Sequence, residues 1–126
     1  MKRTITTKDG ALPVGPYSQA IEANGFLFLS GQIAIDPLTQ ELTGGGIREH
    51  TDRALKNIAI LLDAAGSSAA NVVRCVVYLQ NMDDFAAMNE VYASFFNDDP
   101  PARTTLSSPK LPRNSLIEIE ATAVRS

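Results

Sequence analysis

The chain has 126 residues, of which 44% are hydrophobic and 20% are charged, and its net charge at pH 7 is −3. This length suffices to bury a core without disulfides or metal, so we predict a single globular domain over residues 1–126. The acidic balance argues against binding to nucleic acid or to an anionic membrane surface, because both require clustered basic side chains. The N-terminus has no apolar signal core and no apolar run could span a bilayer, which indicates a cytoplasmic protein.

The first predicted element is a β-hairpin within residues 21–35. Asn24-Gly25 favours a two-residue turn, and Phe26–Leu29 is apolar and typical of a strand. Ser30-Gly31 interrupts this strand, and the missing Cβ of Gly31 allows another group to approach the backbone closely. A loop is then expected over residues 36–46.

An amphipathic helix is predicted after that loop. Its apolar residues recur at spacings of three and four and form one stripe, which consists of Ala54, Leu55, Ile58, Leu61, Leu62 and Ala65. Gly66 is the expected end of the helix. His50 falls on the polar side of the pattern, so we predict that it is a solvated surface residue.

The second half of the chain predicts a strand, a helix and two further strands. Val72–Leu79 is apolar on both faces and is expected to be a central strand. Asp83 or Asp84 is a candidate cap for the second helix, which should end before Pro100-Pro101. Strands are expected near Ala102–Leu106 and Leu116–Val124. Two helices on one face of a single mixed sheet of about six strands satisfy the layer rule, so the predicted class is α/β, of the α+β kind.

Several kinds of site are excluded by the residue inventory. One histidine and one cysteine cannot build a protein zinc site, and the single Cys75 lies in an apolar run where it is predicted to fill the core. The glycines at 44–46 are not followed by the Lys-Ser/Thr of a phosphate-binding loop. We therefore expect neither a metal nor a cofactor, and any catalysis must use carboxylates, amides, hydroxyls, backbone groups and arginine.

Strand alternation groups the remaining candidates for a site. Arg103 and Thr105 share one face of their strand, and Glu118 and Glu120 share one face of the last strand. From alternation alone, the two glutamates can equally be solvent-facing or ion-paired, and Arg103 can be part of a surface ion pair. Asn89 can be a structural amide, since a polar group beside an apolar stripe needs hydrogen-bond partners. Tyr17 can lie at the rim of a site or in the core.

Taken together, these segments resemble the Rid (YjgF-type) reactive-intermediate deaminases. The resemblance covers nearly the whole chain in order, and its most specific pieces are Pro101-Ala102-Arg103 and Ile117-Glu118-Ile119-Glu120-Ala121. The other matching segments are Gly15–Ala20, Leu29–Ile33, Asn57 with Ala65-Gly66, Asp84-Phe85 to Asn89, and Tyr92.

The resemblance implies a chorismate-mutase-like domain that forms a homotrimer with sites between subunits. It also implies hydrolysis of small 2-enamine and 2-imino acids, such as 2-aminoacrylate and 2-aminocrotonate, to 2-oxo acids and ammonia. Arg103 would then bind the substrate carboxylate, and Glu118 would hold the attacking water or relay its proton. The remaining pocket residues carried over by the resemblance are Tyr17, Ser30, Gly31, Asn89 and Thr105.

Two departures from the family pattern border this expected site. The family often has cysteine two residues after the arginine, where this chain has Thr105, and the connection from Phe96 to Pro101 is short. Both changes bear on substrate preference. An alternative function is a non-catalytic trimer that binds 2-oxo acids, which would keep Arg103 without needing Glu118. Nuclease activity has also been attached to the family, but the acidic balance of this chain disfavours it.

Overall fold

The structure is a computed structural model that describes residues 1–126. It contains eight strands and two α-helices, each followed here by its bounds: β1 (Arg3–Ile5), β2 (Ala20–Ala23), β3 (Phe26–Gln32), β4 (Ile35–Asp36), β5 (Glu41–Leu42), α1 (Ile47–Ala64), β6 (Val72–Leu79), α2 (Phe85–Phe95), β7 (Ala102–Ser107) and β8 (Ile117–Val124).

Six of the strands form one mixed sheet in the order β1-β2-β3-β8-β6-β7. All neighbouring pairs in this sheet are antiparallel except β6 and β7, which are parallel and are joined through α2. β4 and β5 form a separate two-stranded ribbon. The predicted class, a mixed sheet of six strands with two helices, is confirmed. The short β1, β4 and β5 strands were not predicted, because two or three residues carry too little alternation to detect.

The two helices cover one face of the sheet and bury its apolar residues. Leu55, Ile58, Leu61 and Leu62 of the predicted stripe are at most 1% exposed, and they lie in one core cluster with sheet residues such as Val77 and Ile119. We call this side of the sheet the helix face. The opposite side has no helix over it, and we call it the open face. No helix in the structure is both long and apolar enough to cross a membrane.

Local signals placed the hairpin and the first helix correctly. Asn24 and Gly25 have φ values of 52° and 80° and link β2 directly to β3, as expected for a two-residue turn with positive φ at both positions. The first helix ends at Ala64, and Gly66 follows with a φ of 76°, a left-handed conformation that glycine adopts without strain. Cys75 is fully buried in the core, as predicted.

The prediction for His50 is wrong. His50 is 4% exposed, and its Nδ1 accepts a hydrogen bond from the backbone N–H of Leu116 at 3.1 Å. Leu116 is 66 residues away in sequence, so a helical pattern around His50 holds no sign of this contact. Burial lowers the pKa of His50, and a hydrogen bond to the Thr43 backbone opposes that effect in part.

Candidate active site

Arg103 lies on the helix face of β7. In the parallel pairing of β6 with β7, Arg103 is opposite Cys75 and Thr105 is opposite Val77. Cys75 and Val77 are fully buried beneath the helices, and residues paired across a sheet point to the same side. Arg103 and Thr105 therefore point towards α2, as strand alternation predicted for them as a pair.

The Arg103 guanidinium lies between two aromatic rings of α2. Its Cζ is 4.7 Å from the ring centre of Tyr92 and 5.6 Å from that of Phe85. Such cation–π contacts orient a guanidinium without consuming its five N–H donors. None of the ion pairs in the protein includes Arg103. The surface ion pair considered from the sequence is thus absent, and the N–H donors at the edge of the guanidinium are free to bind an anion.

Buried polar atoms without a partner gather around this guanidinium. Asn89 Oδ1, Tyr92 Oη and Thr105 Oγ1 account for three of the four such atoms in the protein, although the Cys75 thiol, a weak partner at best, lies close enough to Tyr92 Oη to affect its pKa. Asn89, Tyr92 and Arg103 line one open cavity of about 450 Å³, and Thr105 is the next residue on the same side of β7. Burial raises the pKa of Tyr92, so its hydroxyl remains protonated at neutral pH. Buried polar groups normally have partners, which marks this cluster as a place for a polar ligand.

Glu118 lies on the open face of β8. Its neighbours in the strand, Ile117 and Ile119, are fully buried on the helix face, so Glu118 and Glu120 point the other way. Tyr78 of β6 is directly opposite Glu118. Glu118 is half-buried and takes part in none of the protein's ion pairs. Burial first, and the charge of Glu120 second, raise the pKa of its carboxyl.

Gly31 makes room for the Glu118 side chain. Between Leu29 and Gln32, β3 advances three residues while β8 advances two, which places a β-bulge at Ser30 and Gly31. A Cβ on Gly31 would lie only 2.9 Å from Glu118 Cδ. The carboxylate therefore packs directly against the Gly31 backbone. The sequence predicted such a close approach to the backbone at Gly31, where Ser30-Gly31 interrupts the apolar strand pattern.

Residues 6–19, which we call the strap, pack beside the β-bulge at Ser30 and Gly31. Ser30 donates its hydroxyl to the Ser18 carbonyl at 2.6 Å, and the buried Gln19 side chain bonds the backbone of Thr7 and Ala11. Tyr17 is 48% exposed, which places it at a rim and not in the core. Twelve residues, including Tyr17, Gly31, Ile33 and Arg113, line a mostly apolar cavity of about 270 Å³.

Two separate groups of predicted residues emerge from these positions. The first, which we call the arginine cluster, contains Arg103, Thr105 and Asn89 and lies on the helix face. The second, the glutamate cluster, contains Glu118, Gly31, Ser30 and Tyr17. A sheet separates Arg103 from Glu118, since one points to the helix face and the other to the open face. Within one chain the two side chains therefore cannot contact the same small molecule.

Three contributors, Phe85, Tyr92 and Asn57, lie in segments that resemble the family, but no site role was predicted for them. Phe85 and Tyr92 are four residues before and three residues after the predicted Asn89, so all three share one face of α2, and this spacing was a usable signal for the rings beside Arg103. Asn57 is fully buried, and its Nδ2 donates to the carbonyls of Ile33 and Ile35 at 3.2 and 2.8 Å. This amide fixes the backbone that follows Gly31. No local sequence pattern indicates this role of Asn57, because its hydrogen-bond partners lie more than 20 residues earlier in the chain.

Comparison with known proteins decides the family. The family model described as endoribonuclease L-PSP matches residues 7–125. A RutC family protein of Pyrococcus horikoshii is 50% identical over 99% of both chains. The mouse protein named 2-iminobutanoate/2-iminopropanoate deaminase is 40% identical over 99% of this chain and 93% of its own length. The structure of YyfA from Yersinia pestis, described as a conserved Rid family protein, matches with a TM-score of 0.94 at 38% identity, over 98% of this chain and 99% of that one. The chain belongs to the Rid (endoribonuclease L-PSP) family.

Two features of the sequence differ from the pattern expected for a Rid protein, namely Thr105 and the short connection from Phe96 to Pro101. Both lie in or next to the arginine cluster. Thr105 has a buried, unpartnered hydroxyl oxygen on the same side of β7 as Arg103. The short connection after Phe96 supplies Asn97, Pro100 and Pro101 to the wall of the cavity that contains Arg103. Neither departure touches Glu118. Differences from the common family pattern thus concern the surroundings of the guanidinium.

Proposed function

We propose that this Rid protein hydrolyses small 2-imino acids and their enamine tautomers to 2-oxo acids and ammonia. Arg103 of one subunit binds the substrate carboxylate, and Glu118 of a neighbouring subunit handles the proton of the attacking water. The observation that carries the proposal is an unpaired guanidinium held between Tyr92 and Phe85 and surrounded by unpartnered buried polar atoms. Membership in a family that includes the mouse iminoacid deaminase supports the choice of substrate.

The arginine cluster suits a planar carboxylate. A guanidinium presents two parallel N–H donors that match the two oxygens of the carboxylate, and a lysine cannot reproduce this fork. Asn89 lines the same cavity as Arg103, and Thr105 is the next residue on the same side of β7. A charge-assisted hydrogen bond of this kind contributes on the order of 1.5 to 3 kcal/mol.

Glu118 supplies the proton transfers that hydrolysis needs. The carboxylate accepts a proton from water as the water oxygen bonds to C2 of the protonated imine, and the C=N π electrons move to nitrogen. The protonated Glu118 then gives this proton to the amino nitrogen. As the C–N bond breaks, the hydroxyl proton passes to Glu118, C2 becomes the carbonyl of the 2-oxo acid and ammonia leaves. Ammonia then takes that proton and departs as ammonium, which restores the Glu118 carboxylate. A raised pKa suits a carboxyl that must both accept and donate.

The positions of the two clusters favour a ring of subunits. An isologous dimer through the open face would bring Glu118 of one subunit against Glu118 of the other, and Arg103 would remain behind the sheet. A head-to-tail contact joins unlike surfaces and closes into a ring, which is how the arginine cluster of one subunit meets the glutamate cluster of the next. Exposed Phe26, Phe28 and Leu106 on or beside the open face are consistent with burial in such a contact. We propose the trimer on this basis.

Replacing Arg103 tests the proposal directly. We expect Arg103→Ala to lower kcat/KM roughly 10- to 150-fold, which is the kinetic equivalent of the charge-assisted bond. Arg103→Lys should recover only part of the loss, because it keeps the charge and loses the fork. The assay follows removal of the imine formed by a serine/threonine dehydratase. Arg48→Ala is the matched control, since Arg48 pairs with Glu90 on the helix surface.

A wild-type rate for Arg103→Ala in a folded protein would refute the role of this residue. Light scattering supplies a second check, because a monomeric mass for the wild-type protein contradicts a site shared between subunits.

The alternative function, a trimer that only binds 2-oxo acids, keeps one specific observation in its favour. The arginine cluster is complete as an anion site without any contribution from Glu118. Glu118→Gln separates the two functions. Loss of turnover with unchanged affinity for a 2-oxo acid supports the enzyme, whereas absence of turnover in the parent protein supports the binder. The acidic net charge gives no support to a nuclease function.

A further inference from the structure

We propose that Tyr78 and Glu120 form a positioning pair for Glu118, in which Tyr78 holds the Glu120 carboxylate in place and Glu120 controls the proton exchange of its neighbour. The inference rests on the proposed function, which makes Glu118 the group that moves the proton. Neither Tyr78 nor Glu120 is expected to touch the substrate. They act through Glu118.

The geometry of the pair is set by the pairing of β6 with β8. Tyr78 is directly opposite Glu118, and Val76 is directly opposite Glu120. The Tyr78 ring therefore extends past Glu118, and its hydroxyl donates a hydrogen bond of 2.7 Å to Glu120 Oε1. All three side chains are on the open face. Since Glu118 and Glu120 are two residues apart on one strand, their carboxylates are neighbours on that face.

The two carboxylates differ in what holds them. Glu120 is fixed by the tyrosine hydroxyl, whereas Glu118 has no ion pair and packs against the Gly31 backbone. The hydrogen bond to Glu120 raises the pKa of Tyr78, so the phenol remains a donor through the physiological range. A fixed negative charge thus lies beside a carboxylate that is free to react.

Few other charged groups face Glu118. On β8, its charged neighbour is Glu120. The residue opposite Glu118 on β6 is Tyr78, which is neutral, and the adjoining residues on β3, Ser30 and Gly31, carry no charge. From the strap and the turn after Leu111, Tyr17 and Arg113 line the cavity that shares Gly31. Within one chain, burial raises the pKa of the Glu118 carboxyl most, and Glu120 is the one group that adds to this through its charge.

This arrangement matches a specific need of imine hydrolysis. A carboxylate of ordinary acidity accepts a proton from water poorly and holds it too weakly to return it to nitrogen at a useful rate. General acid–base catalysis is most efficient when the catalytic pKa lies near the working pH. A neighbouring negative charge stabilises the protonated form of Glu118, and Tyr78 prevents that charge from swinging away.

Steady-state kinetics across pH test the pair with two variants. We expect Glu120→Gln to lower kcat roughly 3- to 10-fold at neutral pH and to move the acidic limb of the kcat profile to lower pH. Tyr78→Phe, which removes only the hydroxyl, should shift the limb in the same direction by a smaller amount. KM should change less than twofold in both, because the substrate carboxylate is bound by Arg103 of the neighbouring subunit and not by Tyr78 or Glu120. Glu90→Gln, which removes an acid from the helix surface, is the control and should leave the limb in place.

A titration that needs no activity separates this inference from the proposed function. Selective ¹³C labelling of glutamate carboxyls reports the protonation midpoint of Glu118 by NMR, with Glu118→Gln identifying its signal. A lower midpoint in Glu120→Gln supports the pair even if the parent protein hydrolyses no imine. An unchanged midpoint overturns it, as does a fall in thermal stability or in trimer mass that accompanies an unchanged pH profile, because the pair would then be a structural contact only.

Discussion

The helix face and the open face of the sheet hold their polar side chains in different ways. On the helix face, side chains are packed among Leu, Ile and Val residues, and Arg103 lies between Tyr92 and Phe85. On the open face, Glu118 is only half-buried and packs against the Gly31 backbone. Under the proposed function, the first arrangement confines the substrate carboxylate and the second leaves room for water, and turnover requires both.

The strongest test of this division combines two impaired proteins, each of which lacks one of the two side chains. We expect co-expression of Arg103→Ala with Glu118→Gln to restore activity, because a site formed by intact Arg103 from one subunit and intact Glu118 from the next appears in mixed rings. With random assembly from equal amounts, about one quarter of the sites are intact, so about one quarter of wild-type activity should return. Differently tagged subunits allow the mixed rings to be purified, and because each mixed trimer has one intact site out of three, these rings should show about one third of wild-type activity.

The control for this experiment is a double mutant that carries both substitutions in the same chain. Co-expressed with an impaired single mutant, it supplies no complementary residue and should restore nothing. Failure of the two single mutants to complement each other in purified mixed rings would show that the two clusters serve different sites.

A smaller effect is expected from the open face alone. Gly31→Ala places a Cβ 2.9 Å from Glu118 Cδ and must displace the carboxylate. We predict a loss of roughly 100-fold in kcat, the usual consequence of moving a catalytic group by about an ångström. Affinity for a 2-oxo acid at Arg103 should be unchanged, as isothermal calorimetry would show.

Gly44→Ala is the matched control for that substitution. A Cβ at Gly44 has no neighbour within 4 Å, and the residue has no positive φ. Equal losses of activity in the two alanine variants would mean that glycine flexibility matters here, and that close approach to Glu118 does not.

The smallest predicted effect belongs to the helix side of the molecule and concerns stability. His50 is buried with a lowered pKa, so the unfolded chain binds a proton more readily than the folded one as the pH falls through the ordinary histidine range. Its contribution to stability is complete above pH 6.5 and is lost at lower pH. We expect the Tm to fall by no more than about 5 °C from this source between pH 7 and pH 5.

Since His50 is the one histidine in the chain, this response can be assigned cleanly. His50→Gln keeps an acceptor for the Leu116 N–H and cannot titrate, so its Tm should be flatter over the same range. A slope identical to that of the wild type would show that groups other than His50 cause the fall in Tm. Glu118 is not among them, because a carboxyl whose pKa is raised in the folded state stabilises the fold as the pH falls.

Much of the scaffold follows from local signals in the sequence, whereas the relation between its two faces does not. The Asn24-Gly25 turn and the apolar stripe of α1 depend on neighbours within four residues, and both were predicted correctly. Alternation also grouped Arg103 with Thr105 and Glu118 with Glu120. It could not show that these pairs point to opposite sides of one sheet, because that depends on which strands are adjacent and in which register. His50 was placed wrongly for the same reason, since its partner Leu116 comes from a distant segment.

The parallel connection from β6 through α2 to β7 has a consequence for how the protein can change over evolutionary time. Residues 72–107 form one continuous βαβ unit that contains Arg103, Asn89 and Tyr92 together with the wall at Pro100 and Pro101. Insertions or deletions after Phe96 can therefore reshape the cavity beside Arg103 without changing any other strand of the sheet. If Glu118 of another subunit completes the site, as we propose, selection for a new substrate side chain can act on this unit while the carboxylate that handles the proton stays unchanged.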